Sequence, residues 1–330
     1  MRVNKFTQKV SVIIPVFNGE RHLKGCLQSI ENQLFENWEV ICVDDGSSDS
    51  SAGIIESFVR KDSRYKIICQ KNSGVSQARK RGLLESSGEY IIFCDCDDLL
   101  PERSLEILLD AVISNNADAA AGVFRKVPES FVLDNAEKIN FQEQAFLLKD
   151  NDKFSGFCSS WNGLWSHIYK RDLFFNGESP ADVWPDRDVK LGEDVLTNLE
   201  LLFRAKKVAK TEAVIYFYRS NPDSVSSVAP WSKRNFSDGI RYLEELDNLA
   251  SRGKNASDRA YISYLLLERL FAQPVVGTDF KKKYWSFLHY YLQYFVFAPT
   301  TQYWLFRKHR CAWIGAITGM RHFLLPVGYK

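Results

Sequence analysis

The residues of this chain best suited to chemistry are three carboxylates that follow a short apolar segment. Residues 90–94 read Tyr-Ile-Ile-Phe-Cys, and Asp95, Asp97 and Asp98 come directly after them. In an extended segment, positions two apart point the same way, so Asp95 and Asp97 would converge on one point. Converging carboxylates repel each other unless a cation lies between them, and hard oxygen ligands suit Mg²⁺ or Mn²⁺. A solvated acidic turn after a strand has the same pattern, and these residues alone do not separate the two interpretations.

An alternation of apolar and amphipathic segments surrounds these carboxylates. It predicts strands at residues 10–17, 38–43, 65–69, 89–94 and 118–127, with helices at 20–33, around 54–58, at 73–85 and from Pro101 onwards. Strand and helix therefore alternate five times, which is typical of a parallel, doubly wound α/β domain. Such sheets bind ligands at the carboxyl ends of their strands, where the three aspartates would lie. A further helix is predicted at 193–205 and a further strand at 208–219.

Length and composition indicate an ordinary globular protein. The 330 residues suit one catalytic domain with an appendage, and 45% of them are hydrophobic. The seven cysteines include no C-x-x-C pair and mostly lie in apolar segments, which favours reduced core thiols and a reducing compartment. The apolar segment Val10–Phe17 is too short for a secretory signal, and no segment approaches the ~20 apolar residues that span a bilayer. We therefore expect a cytoplasmic protein.

The last part of the chain is basic and aromatic. From Phe280 to Lys330 there is no Asp or Glu, whereas eight residues are Lys or Arg and 15 of the 45 aromatic residues of the chain lie there. This composition is typical of a surface that contacts an anionic membrane. Packed helices with solvated lysines are the alternative. Nucleic-acid binding is disfavoured, because no nucleic-acid motif accompanies the basic residues.

Polar residues also end the first two predicted strands. The first strand leads into Pro15-Val-Phe-Asn-Gly19 and the second into Asp44-Asp-Gly-Ser-Ser-Asp49. No G-x-G-x-x-G follows the first strand, which disfavours a dinucleotide oxidoreductase, and no P-loop is present. Phosphate binds next to carboxylates only when a metal ion lies between the two. The acidic edge therefore favours a metal–nucleotide complex as its ligand. Asp45 would accept a hydrogen bond from a base, and Phe17 offers a ring for stacking.

These segments together resemble the family-2 inverting glycosyltransferases, which have the nucleotide-diphospho-sugar (GT-A) fold. The resemblance covers about residues 9–226 and is carried, in the family's order and spacing, by segments 10–19, 43–49, 73–79, 88–98 and 192–195. It implies a doubly wound, mostly parallel sheet with a C-terminal helical appendage. The catalytic domain would occupy residues 1–226, with a nucleotide-binding half at 9–127 and an acceptor half at 155–226. Residues 227–330 would form a helical, membrane-associating region.

The resemblance also assigns roles in donor binding. Asp45 would read a uracil-type N–H, and Asp95 would contact the ribose. Arg79 lies where the family often has an Ala-Arg-Asn run near the nucleotide, although here the third residue is Lys80. The nucleotide-sugar site would then comprise Pro15, Phe17, Asp45, Arg79, Asp95 and Arg219, and the Mg²⁺ or Mn²⁺ ion would bind to Asp97 or Asp98.

Asp194 resembles the family's catalytic base. It follows Glu193 at the predicted start of a helix, where the positive end of the helix dipole favours an ionised carboxylate. Capping of that helix is the purely structural interpretation of the same two residues. The acceptor contacts are expected to come from residues between the metal motif and the base, for which buried packing is the alternative: Trp161, Asn162, Trp165 and Glu193.

The resemblance implies a single in-line displacement with inversion at the anomeric carbon. The donor would be a UDP-type sugar nucleotide, and the acceptor a glycan or lipid-linked glycan of a surface polysaccharide at the cytoplasmic face of a membrane. A non-catalytic scaffold that binds sugar nucleotides or membranes is the alternative, disfavoured because Asp95, Asp97 and Asp194 are all present. A nucleotidyltransferase would need a glycine- and lysine-rich loop after the first strand, which this chain lacks.

Overall fold

The computed structural model describes residues 6–133, 145–148, 163–177, 179–181, 183–185, 192–221 and the single positions 245, 248, 249 and 252. The chain divides into two compact units, Met1–Tyr242 and Leu243–Lys330. The four described residues of the second unit are helical. The predicted membrane-associating region at 227–330 otherwise lies outside the described residues, and the boundary near residue 226 stays a prediction. Among the described residues, no helix is long and apolar enough to cross a membrane.

The first unit contains the predicted alternation of strands and helices. The described helices are α1 (Glu20–Glu31), α2 (Ser51–Val59), α3 (Val75–Glu85), α4 (Ser104–Ser114) and α5 (Glu193–Arg204), with a 3₁₀ helix at Arg171–Phe174. The described strands are β1 (Val10–Val16), β2 (Trp38–Asp44), β3 (Tyr65–Cys69), β4 (Tyr90–Phe93), β5 (Ala119–Val127), β6 (Ala145–Leu147), β7 (His167–Lys170), β8 (Phe175–Asn176), β9 (Ser179–Pro180) and β10 (Val208–Arg219).

The start of α4 differs from the prediction. The helix begins at Ser104 instead of Pro101, because the preceding segment has other hydrogen-bond partners. The side-chain amide of Gln33 donates to the carbonyl oxygens of Leu100 and Pro101, at 3.3 and 2.7 Å. Leu99 forms a bridge with Phe217 of β10. The segment after the three aspartates is therefore held by Gln33, which follows α1, and by β10.

Eight of the described strands form one mixed, mostly parallel sheet in the order β3-β2-β1-β4-β7-β5-β10-β6. β1 runs parallel to both β2 and β4, and β10 runs parallel to β5. β7 lies antiparallel between β4 and β5. The predicted fold class is confirmed, with one feature that local alternation does not reveal. The strand that separates β4 from β5 comes from a segment that follows both of them in the chain.

Helices cover both faces of the sheet. Leu23 and Leu27 of α1 belong to the large core cluster, which also contains side chains of α2 and α4. α3 packs on the opposite face, where Ala78 joins Ile41 and Val43 of β2. A Cβ atom at Gly82 of α3 would lie 2.5 Å from a methyl group of Ile13, so glycine lets this helix approach the sheet closely. β1 and β2 end opposite each other at Val16 and Asp44, and β4, parallel to them, ends opposite Ile13. The polar segments that follow these strands therefore lie at one edge of the sheet.

Candidate active site

The loops that follow β1 and β2 are joined by reciprocal hydrogen bonds. The backbone N–H of Asn18 donates to Ser47 Oγ at 2.9 Å, and the N–H of Ser48 donates to Asn18 Oδ1 at 2.8 Å. Asp49 accepts from the N–H of Glu20 at 3.0 Å, at the start of α1. Asn18 has a positive φ of 51°, a left-handed conformation that asparagine tolerates better than most residues. The two loops therefore form one connected surface at the edge of the sheet.

Phe17 and Pro15 occupy different positions relative to this surface. The ring of Phe17 is 51% exposed at the end of β1, so it is available for stacking on a ligand. Pro15 is buried within β1, opposite Val43 of β2. Pro15 therefore shapes the site through packing, and its predicted part in the nucleotide pocket stays a prediction.

Asp45 is buried and holds the start of α3. Its Oδ1 accepts from the side-chain amide of Gln70 and from the N–H of Ser73, and its Oδ2 accepts from the N–H of Gly74, each at 2.8 Å. A carboxylate has about four acceptor positions. Three are used by the protein, so Asp45 keeps about one acceptor for the N–H of a ligand.

Asp95 and Asp97 are the two carboxylates that the sequence predicts to converge on a divalent cation. Asp95 is partly exposed and accepts from Arg79, while Asp97 Oδ2 accepts from the side-chain amide of Asn221 at 3.0 Å. Burial raises the pKa of Asp97, and the charge of Asp95 raises it further. Within the described part of the chain, no three His, Cys, Asp or Glu side chains surround a common point. Two carboxylates with remaining positions for phosphate and water form the usual protein contribution to a Mg²⁺ site.

Asp98 is held by residues of β10, and its predicted part in metal binding stays a prediction. Its carboxylate is 1% exposed and faces β10. The hydroxyl of Tyr216 donates to Oδ2 and the N–H of Arg219 donates to Oδ1, both at 2.7 Å. Burial raises the pKa of Asp98 well above its usual value, and the charges of Asp97 and Asp95 add to this effect. Residues 95–98 form a turn, in which the N–H of Asp98 donates to the carbonyl oxygen of Asp95 at 3.1 Å.

Arg219 extends from the end of β10 towards α1. Its guanidinium is buried, and Nη1 lies 2.9 Å from Nδ1 of His22. Burial and the charge of Arg219 lower the pKa of His22, so the neutral ring accepts this hydrogen bond. The other ring nitrogen lies 3.3 Å from Glu129 Oε1. The predicted place of Arg219 in the nucleotide-sugar site stays a prediction.

Arg79 connects the end of β4 to the start of α5. Its side chain is 4% exposed, and its terminal nitrogens donate to Asp95 Oδ1 and Glu193 Oε1, each at 3.0 Å. Burial raises the pKa of Glu193, and the adjacent charge of Asp194 acts in the same direction, while Arg79 opposes them. Asp194 follows in the first turn of α5, preceded by Gly192 with a φ of 77°. The structure therefore places the predicted base at the same edge as the aspartate motif.

The residues predicted to contact an acceptor have separate outcomes. Trp165 is 3% exposed, and its ring stacks on Tyr216 at a centroid distance of 4.5 Å and on Tyr218 at 5.7 Å. This packing agrees with the alternative of a buried residue, and its predicted contact with the acceptor stays a prediction. Glu193 is engaged with Arg79, and its acceptor role stays a prediction. Trp161 and Asn162 lie outside the described residues.

Three residues at this edge were not predicted from the sequence. Tyr216 bridges the aspartate motif, since its hydroxyl donates to Asp98 and accepts from the N–H of Asp95 at 3.1 Å. Asn221 holds Asp97, and His22 holds Arg219. None of them lies within a local motif. Only the pairing of the strands brings β10 and α1 to the aspartates.

Comparisons with known proteins agree with this architecture. Residues 11–170 match the family description "Glycosyl transferase family 2". The chain is 32% identical to glycosyltransferase GlyA of Streptococcus pneumoniae over 235 residues, which are 68% of this chain and 32% of GlyA. It is 31% identical to the putative glycosyltransferase EpsH of Bacillus subtilis over 248 residues, 72% of this chain and 68% of EpsH. The chain thus spans about a third of the length of GlyA and about two thirds of EpsH.

A solved structure shows the shared fold. Residues 1–349 of S. aureus TarS, in complex with UDP-GlcNAc, superpose on this chain with a TM-score of 0.66 and 20% sequence identity. The superposition covers 87% of this chain and 81% of the TarS chain. The likeness supports the GT-A architecture predicted from the sequence.

Proposed function

The chain belongs to glycosyltransferase family 2, and on that premise we propose that it transfers a sugar from a nucleoside-diphosphate sugar to a hydroxyl group of an acceptor. The observation that carries this proposal is the pair of hydrogen bonds from Arg79. They join Asp95 to Glu193, so that Asp194 lies at the edge where the donor motif ends. A non-catalytic scaffold would not require a carboxylate at that position.

Asp194 is proposed as the general base. It accepts the proton of the acceptor hydroxyl, whose oxygen attacks the anomeric carbon as the nucleoside diphosphate departs from the opposite face. The first turn of α5 favours the ionised form of this carboxylate through the helix dipole. A single displacement inverts the configuration, so an α-linked donor gives a β-linked product.

The proposed donor is a UDP-sugar. Asp45 keeps an acceptor for the N–H of a uracil ring, and Phe17 exposes a ring for stacking beside it. The UDP-GlcNAc complex of TarS supports this choice of nucleotide. Asp95 and Asp97 would hold Mg²⁺ or Mn²⁺, which when bound neutralises charge on the departing diphosphate.

The test of the base is an Asp194→Asn variant, which keeps the shape of the side chain and removes its basicity. We expect transfer from the best donor in a panel of nucleotide sugars to fall about 10²–10⁴-fold, the usual contribution of a general base. UDP affinity, measured by calorimetry, should stay the same. Glu56→Gln, on the exposed surface of α2, is the matched control. Full activity of the Asp194→Asn protein would remove the assignment.

The proposed acceptor is a glycan or lipid-linked glycan of a surface polysaccharide, such as a lipopolysaccharide or capsule, at the cytoplasmic face of a membrane. The basic and aromatic composition of residues 280–330 supports attachment of the 227–330 region to an anionic surface. Deletion of residues 301–330 is expected to weaken co-sedimentation with anionic liposomes, most strongly at low salt. Equal partitioning of both proteins would contradict this attachment.

A further inference from the structure

Each of the two terminal nitrogens of Arg79 donates a hydrogen bond to a carboxylate of the protein. Nη2 donates to Asp95 and Nη1 donates to Glu193, each at 3.0 Å. An arginine side chain is a cation in proteins, so Arg79 places a buried positive charge between the two carboxylates. A buried cation between two carboxylates fixes their separation more firmly than an exposed ion pair does, because removal of any member leaves a buried charge without its partner.

The far end of this connection is the first turn of α5. Glu193 is the first residue of the helix and Asp194 the second. Gly192 precedes them with a φ of 77°, and Thr197 Oγ1 donates to the carbonyl oxygen of Glu193 at 2.8 Å. The side chains of Glu193 and Asp194 therefore extend from the same helical turn, so the contact that holds Glu193 also holds the turn that carries Asp194.

We propose that Arg79 is a positioning residue, which sets the distance between the base Asp194 and the donor by joining Glu193 to Asp95. This inference rests on the function proposed above. It gives Arg79 a different role from the nucleotide contact that the sequence predicts. A nucleotide contact would act on donor affinity, whereas a positioning residue acts on the chemical step, because a displacement of about 1 Å costs about 10²-fold in rate.

Glu193→Gln is the sharpest test, since it keeps the shape of the side chain and leaves the pair of Arg79 with Asp95 intact. We expect kcat to fall about 10²-fold, with donor KM and the Kd for UDP changed less than about threefold. Arg79→Met should lower kcat to a similar extent. The kcat of the double variant, Arg79→Met with Glu193→Gln, should be no more than about threefold below that of the less active single variant. Both substitutions break the same connection, so their effects should not add.

Helix α3, which carries Arg79, also supplies the matched control. Arg81 of α3 forms an exposed ion pair with Glu85 at 2.9 Å, and we expect Arg81→Met and Glu85→Gln to keep wild-type kcat and KM. If Arg79→Met does not fold, Arg79→Lys replaces it, both as a single variant and in combination with Glu193→Gln. This replacement keeps the charge but not the two-armed geometry, and we expect it to lower kcat as Arg79→Met does.

Each result of this experiment is decisive. A kcat loss without a change in UDP affinity, shared by both single variants and not additive, supports the positioning role. Unchanged kcat in Glu193→Gln, additive losses, or a tenfold weaker UDP affinity confined to Arg79→Met would overturn it while the proposed function stands. A wild-type protein that neither transfers nor hydrolyses sugar from any nucleotide sugar would overturn both.

Discussion

Two ends of the same sheet bury carboxylates in opposite electrostatic environments. At the amino end of β2, Glu39 is 1% exposed and accepts hydrogen bonds from Ser11 and from the N–H and hydroxyl of Ser87. Lys9 and Lys66 lie 3.1 and 3.0 Å from its Oε2. Although burial opposes it, these partners lower the pKa of Glu39 to about 2.

At the carboxyl edge the balance is reversed. Burial raises the pKa of Asp97 and of Asp98, and the neighbouring carboxylates raise both further. Their hydrogen-bond donors are neutral groups: the Asn221 amide, the Tyr216 hydroxyl and the Arg219 N–H. Burial of a carboxylate therefore has different consequences at the two ends of the sheet. Where cations accompany the carboxylate, it stabilises the fold. Where carboxylates collect without enough cations, their charge favours a ligand, a pattern typical of functional sites.

The largest expected effect is on activity, at the carboxyl edge. Asp97→Asn removes a negative charge that the proposed metal requires. The fold does not depend on that charge. We expect transfer to fall about 10³-fold, roughly 4 kcal/mol at the transition state. Mn²⁺ should no longer raise the Tm of this variant in a thermal shift assay. Glu56→Gln serves again as the control. An Asp97→Asn protein that keeps the wild-type, metal-dependent rate of transfer would contradict a functional role for the carboxylates at this edge.

Glu39→Gln is expected to act on stability instead of activity. The lowered pKa of Glu39, from 4.5 to about 2, corresponds to about 3 kcal/mol of stabilisation at pH 7. Urea denaturation should show a loss of about 2–3 kcal/mol, while kcat of the folded protein stays at the wild-type value. Glu85→Gln, in its exposed ion pair, should change stability by less than about 1 kcal/mol. A similar loss in both variants would argue against a special environment for Glu39.

The pH dependence of stability sharpens the contrast, with a smaller effect. The pKa of Glu39 is lower in the folded state, so its contribution is complete above about pH 4.5 and is lost as the pH falls towards 2. The difference in unfolding free energy between wild type and Glu39→Gln should close over that range.

Asp97 should show the opposite behaviour. Its pKa is raised, so with a metal chelator present Asp97→Asn should be more stable than wild type at neutral pH. That advantage should shrink as the pH falls and wild-type Asp97 takes up its proton. As the pH falls, the unfolding free energy of wild type minus that of Glu39→Gln should decrease, and wild type minus Asp97→Asn should increase. If both differences changed in the same direction, the assignment of opposite environments would be contradicted.

Local patterns predicted most of the fold. The apolar segments that became β1 to β5 were recognisable because each is short, apolar and followed by a turn, and the helices between them have periodic apolar faces. The position of β7 was not recognisable. It follows β5 in the chain yet lies between β4 and β5 in the sheet, and such pairing depends on packing that no local pattern records.

The candidate site divides in the same way. The sequence by itself determined which carboxylates gather at the carboxyl edge, because parallel strands bring their ends together and the chain places Asp95, Asp97 and Asp194 after such ends or at the start of a helix. Only the tertiary structure decided what each group faces. It turned Asp98 towards Tyr216, buried Trp165 in the core and set Arg79 between Asp95 and Glu193. The physical reason is that charge and hydrogen-bonding capacity belong to residue types, whereas the partner of a buried group is chosen by segments distant in the chain.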